Sequence, residues 1–122
     1  MTEKDFWEFL TALQDKGRAS QVSVITDNND EELHPAIAFV SAHAFLPKNY
    51  DKIHRLMILK MGKLLFRSDT SYKAKQAMLI ILAHHVSKEA LVILEAYNRN
   101  PEEELKVFAE MALDECAMWN GA

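Results

Sequence analysis

Five histidines and a single cysteine are the residues of this chain best suited to hold a metal or attack a substrate. Two of the histidines stand in carboxylate-x-x-His spacing, Glu31-x-x-His34 and Asp51-x-x-His54, which on a helix sets both ligands on one face. Neither pair is joined by further carboxylates on the same side. Helix capping and surface roles explain them, and the sequence predicts no metal and no cofactor. His84-His85 closes an apolar segment, where an imidazole meets the helix dipole and the core. Cys116 lies on an apolar stripe and reads as an inert buried thiol rather than a nucleophile. As the lone cysteine it can form no internal disulfide, which fits a reducing compartment. The three glycines stand apart, so there is no Gly-rich phosphate loop. The sequence therefore assigns no catalytic residue.

The elements that must position these side chains are helices. A chain of 122 residues, 49% apolar and 26% charged with three Gly and three Pro, can bury a core without metals or disulfides. Residues 1–122 read as one helical domain. Thr2 caps a helix to about residue 16, with Phe6, Trp7, Phe9, Leu10 and Leu13 on its apolar side and Gly17 as its stop. Residues 19–26 alternate like a strand but have no second strand to pair with, so they read as a loop or one helical turn. Asp27-Asn28-Asn29-Asp30 offers N-caps for a helix to about residue 45, with Pro35 near its first turn.

Asn49 is positioned to cap a helix over 50–66, and Asp69 or Ser68 one running to about His85. In the latter, the segment 77–83 is apolar all round and marks a central helix. Ser87 and Glu89 start a short helix with the stripe Ala90, Ile93, Leu94 and Tyr97. Asn100, Pro101 and Glu103 form a near capping box for the last helix, which Asn120-Gly121 ends. The expected content is about six helices.

Two of these helices echo each other. Shifted by 31 residues, Ala74, Ala77, Met78, Ile81, Leu82 and His85 fall on Leu105, Phe108, Ala109, Ala112, Leu113 and Cys116, with both apolar faces in register. A repeat of that period implies stacked helical hairpins. The run Asn100-Pro101-Glu102, then Leu105, Lys106, Ala109, Ala112 and Leu113, resembles the second helix of HEAT-like repeat proteins, in particular the compact bacterial repeats also found in phycobilin lyases. It has two extra residues, and Lys in place of Arg. Asp69, Ala74, Lys75, Met78, Ile81 and Leu82 keep the cap and the apolar positions of an earlier copy, but little of the exact motif. Residues 50–66 align less well with 87–99, since Gly62 and Lys63 fall opposite Ile93 and Leu94. The resemblance implies an all-α fold, a short right-handed α-hairpin stack of the HEAT/ARM-like solenoid kind. A plain six-helix bundle is the alternative.

Charge is segregated along the chain. Residues 48–76 hold eight basic and two acidic side chains, while the segments on either side each hold three basic and eight acidic. Lys52, Arg55, Lys60, Lys63 and Arg67 fall within roughly 140° of a helix at 3.6 residues per turn, opposite Ile53, Met57, Met61 and Leu64. Lys73 and Lys75 extend this basic ridge. The ridge suits an acidic peptide, a phosphate-bearing ligand or the acidic end of a second copy; a solvated amphipathic face gives the same pattern.

On the last helix Glu103, Val107, Glu110, Asp114 and Met118 lie opposite the apolar stripe, and Tyr72, Gln76, Leu79 and Ala83 are their counterparts. By the resemblance these two faces would line a concave binding groove. HEAT-like hydroxylases hold a di-iron centre with His-Glu pairs, which this chain lacks. HEAT-like DNA glycosylases use a basic concave face, against which Glu103, Glu110, Asp114 and a net charge of −4 argue.

The sequence thus predicts a non-catalytic protein-interaction or adaptor module whose partner is a protein, a peptide or a second copy of itself. A small helical enzyme or metal-binding protein is the second reading, and a nucleic-acid-binding protein the third. Residues 1–5 carry no apolar signal core, and the longest apolar run falls far short of the roughly 20 residues that span a bilayer. A cytoplasmic protein with no membrane partner is expected.

Overall fold

The computed structural model of the chain describes residues 1–17, 42, 43, 46, 47 and 49–121. The readings of residues 19–26, and of most of a helix over 27–45, lie outside the described residues. The fold is all-α, with no strand among the described residues. Helix α1 spans Glu3–Gly17, α2 Arg55–Leu65, α3 Tyr72–His84, α4 Lys88–Arg99 and α5 Lys106–Trp119. Short 3-10 turns, Tyr50–Lys52 and Glu103–Leu105, precede α2 and α5.

Side-chain oxygens at the helix starts explain why the helices begin where they do. The Thr2 and Asp5 side chains each accept the other's backbone N–H, at 3.1 and 3.0 Å, closing a reciprocal capping box on α1. Ser87 Oγ accepts from Ala90 N–H and caps α4 as the sequence predicts.

Three other starts differ from expectation. His54, not Asn49, caps α2: its Nδ1 accepts from Leu56 N–H at 3.1 Å, after an extended Ile53 has ended the 3-10 turn. Ser71 rather than Ser68 or Asp69 caps α3, because Asp69 is taken up by a two-pronged pair with Arg67. Asn100 closes α4 instead of opening the last helix, so α5 begins later, through the Glu103–Leu105 turn. At the far end Gly121 adopts a left-handed φ of 78°, the conformation expected after a helix.

Helix α3 is central. Every residue from Ala77 to His84 is buried, and α3 packs against α5, α4 and α2. Its relation to α5 follows from contacts at both ends. Near the starts, Tyr72 Oη donates to Glu104 at 2.8 Å and Lys75 pairs with Glu102. Near the finishes, His84 meets Glu115 and Cys116 Sγ reaches His85 O. The two helices therefore run parallel, with partners offset by about the 31 residues of the sequence echo.

The same offset governs α2 and α4. Gly62 faces Ile93, the rings of Phe66 and Tyr97 pack edge-to-face at 5.6 Å, and Arg55 reaches Glu89. Gly62 and Ile93, which align badly as equivalent positions, are complementary in space. A Cβ on Gly62 would lie 2.7 Å from Ile93 Cδ1, so the missing side chain is what lets the two helices approach. Two hairpins, α2–α3 and α4–α5, thus lie side by side in register.

Helix α1 adds Phe6 and Leu10 to the core and docks through Glu3, whose carboxylate accepts Ser71 N–H at 2.9 Å, Ser71 O–H at 2.7 Å and Trp7 Nε1–H at 3.1 Å. These bonds hold the Glu3 carboxyl below its ordinary pKa, the backbone bond from Ser71 foremost.

Candidate functional site

The stack carries two surfaces and two part-buried polar clasps. On α2, Arg55, Lys60 and Lys63 are exposed, with Lys52 and Arg67 exposed on either side of the helix, while Met61 and Leu64 point into the core. The basic ridge is therefore real as a surface, but its charges are not equally available. Arg67 is bound to Asp69 at 3.0 and 2.9 Å, which holds the Asp69 carboxyl below its usual range. Arg55 lies 3.8 Å from Glu89. No ion pair forms at Lys52, Lys60 or Lys63 among the described residues. Leu56 and Leu59, which the charge reading overlooks, stand exposed among these lysines, Leu56 at 62%.

Lys75 does not belong to the ridge. It is 1% exposed, and its ammonium is buried against Glu102 Oε1, which also accepts Tyr97 Oη–H at 3.1 Å. Burial, followed by the Glu102 charge, pushes the Tyr97 hydroxyl well above its ordinary pKa. This clasp joins the start of α3 to the turn before α5. Tyr72 reinforces it from outside, where its hydrogen bond lowers the Glu104 carboxyl pKa.

The second surface is the outward side of α5 and of the turn before it. Glu103, Val107, Glu110, Asp114 and Met118 are all exposed, as the stripe predicts. The counterpart on α3 is only half open. Tyr72 is exposed and Gln76 half-buried, but Leu79 and Ala83 are fully buried and cannot line a groove, because the central helix is covered on that side too. The exposed face on these helices is thus α5 together with the first turn of α3. Met118 and Trp119, 63% and 50% exposed, mark its far end.

The second clasp lies at the opposite end of the stack. His84 Nδ1 is 3.0 Å from Ile80 O, and its Nε2 is 2.9 Å from Glu115 Oε2. His43 Nε2 lies 3.5 Å from Glu115 Oε1, with the two imidazoles edge-to-face at 4.9 Å. The rings of Tyr50 and Trp119 flank His84 at 5.7 and 6.3 Å. His84 lies at the helix end and in the core, as the sequence predicts, but its companions Glu115 and His43 are not apparent there. The one signal, the 31-residue offset that sets Glu115 opposite His84, concerns Glu115 alone.

Of the carboxylate-x-x-His pairs, His54 serves as a cap, and Glu31 and His34 lie outside the described residues. His85 engages both ring nitrogens, with Ser87 Oγ at 2.9 Å and Ile53 O at 2.8 Å. Cys116 is fully buried, and burial pushes its thiol up to about 11, so it is no nucleophile near neutral pH. No helix among the described residues is long and apolar enough to cross a membrane. Compared with known proteins, the chain matches no family model, no curated protein and no solved structure.

Proposed function

We propose that the chain is a non-catalytic interaction module of HEAT-like hairpin repeats, whose partner is a protein surface and, in the simplest case, a second copy of itself. The observation that carries this reading is the complementarity of its two outer faces. The α2 face sets Leu56 and Leu59 among Lys52, Lys60 and Lys63, and the α5 face sets Val107 and Met118 among Glu103, Glu110 and Asp114. Each is apolar with a rim of one charge, and the charges are opposite, an arrangement that favours encounter and fixes orientation. A short stack also leaves its terminal hairpin with an unstacked flank. Made twice about a two-fold axis such a contact closes a dimer, and made once it is head-to-tail and adds copies in steps with concentration.

Sedimentation at low and high salt tests this. The reading predicts association that weakens as screening shortens to about 3 Å near 1 M salt, and that the charge reversal Lys60→Glu with Lys63→Glu abolishes. A chain that stays monomeric under both conditions would remove self-association and leave both faces as solvated surface.

A further inference from the structure

The donors and acceptors at the His84 clasp leave a place for a cation. Ile80 O can only accept, so His84 Nδ1 must carry a proton. That bond fixes the ring as metal-binding histidines are fixed, with one nitrogen donating to a carbonyl and the other turned to the site. His84 Nε2 then faces Glu115 Oε2, which as a carboxylate oxygen also only accepts. Either a proton on Nε2 or a metal ion joins them. A second proton on His84 would satisfy Oε2 but not Oε1, which is buried and has no hydrogen-bond partner among the described residues. Oε1 instead faces a second imidazole nitrogen, that of His43. A divalent cation answers all of these groups at once.

The geometry fits such an ion. The ligand atoms of His43, His84 and Glu115 lie within 4.8 Å of one another. Tetrahedral ligands at about 2.0–2.1 Å from zinc stand about 3.3 Å apart; His84 Nε2 is 2.9 Å from one Glu115 oxygen and His43 Nε2 3.5 Å from the other, and the widest gap in the cluster, up to 4.8 Å, closes by side-chain rotation on binding. We propose that His43, His84 and Glu115 bind one zinc-class divalent cation, with water as the fourth ligand. Two imidazoles and one carboxylate suit zinc, cobalt or nickel rather than magnesium or calcium, which prefer all-oxygen sites. Side-chain exposure rises from 9% at His84 to 19% at Glu115 and 33% at His43, so the His43 side gives the ion its way in and leaves room for water. Cys116, one residue from Glu115, is directed to His85 O and takes no part. The ion would tie residue 43 to the ends of α3 and α5, a role independent of the two outer faces.

Titrating metal-stripped full-length chain with Co²⁺, followed by its visible absorption, tests the site directly, with Zn²⁺ competition and thermal unfolding in parallel. The proposal predicts a saturable one-to-one spectrum of tetrahedral intensity, displacement by Zn²⁺ and a rise in Tm. His43→Ala and Glu115→Gln should weaken binding by more than about tenfold, since even outer-shell losses cost 10–100-fold. His54→Asn should leave it unchanged. Absence of a saturable spectrum overturns the proposal, as does binding that survives His43→Ala; that variant, at the most exposed ligand, decides the matter if Glu115→Gln does not fold.

Discussion

A lysine at 1% exposure is costly unless its charge is met, and at Lys75 one carboxylate oxygen does most of that work. The two partners should therefore respond unequally to mutation. Glu102→Ala strands a buried ammonium and should destabilise by about 3 kcal/mol, in the range for broken buried pairs. Lys75→Met removes the charge while keeping an unbranched chain, and should cost much less. Urea titrations of both variants check this, and equal losses would mean that Lys75 reaches water by another route.

Cys116 gives a second test at this scale. Its thiol is pushed up to about 11, from 9.0, chiefly by burial. Between those values the unfolded chain has released a proton that the folded chain retains, so this group's contribution makes stability fall as pH rises through that window. Cys116→Ser carries no such titration and should show a shallower decline in denaturant midpoint from neutral pH to about pH 10; parallel declines would contradict the assignment.

Individual residues were legible where their surroundings are local. The Thr2 and Ser87 caps, the buried Cys116 and the exposed α5 stripe follow from spacing alone. Lys75 was not, because its partner lies 27 residues away and its own helix position looks like a ridge extension. His43, His84 and Glu115 each have an ordinary local explanation, and only the folded chain brings them together.

At the scale of elements, the pairing of α2 with α4 hinges on a missing side chain. Gly62→Ala adds a Cβ that meets Ile93 Cδ1 at 2.7 Å. Overpacking of about 1–3 kcal/mol should outweigh the roughly 1 kcal/mol that alanine gains in helix propensity, giving a small net loss. Ile93→Val deletes the opposing methyl, so the double variant should be less destabilised than the sum of the single changes. Strict additivity in thermal unfolding would place the two residues out of contact. Helix existence and type were readable from apolar periodicity throughout 50–119, while three of the starts were displaced by a few residues. The reason is competition among polar side chains: Asp69 is taken by Arg67, and Asn100 is used to finish α4, so neither is available to open the next helix.

For the whole molecule, the 31-residue echo proved to be a spatial offset as well as a sequence period. Residues about 31 apart along the chain become neighbours across parallel helices. The echo between α3 and α5 was visible because both present the same apolar stripe to their surroundings. Between α2 and α4 the sequence shows no such match, and their close approach sets unlike residues together, a glycine against an isoleucine.

The most direct measurement of this architecture is a set of nuclear Overhauser contacts in isotopically labelled protein. In-register stacking predicts contacts from Gly62 Hα to the Ile93 methyls, from the Phe66 ring to the Tyr97 ring and from His85 to Cys116, all near one 31-residue offset. Helical shifts over the same segments without these cross-peaks, or with contacts joining the start of α3 to the end of α5, would contradict the stack and leave an ordinary antiparallel bundle.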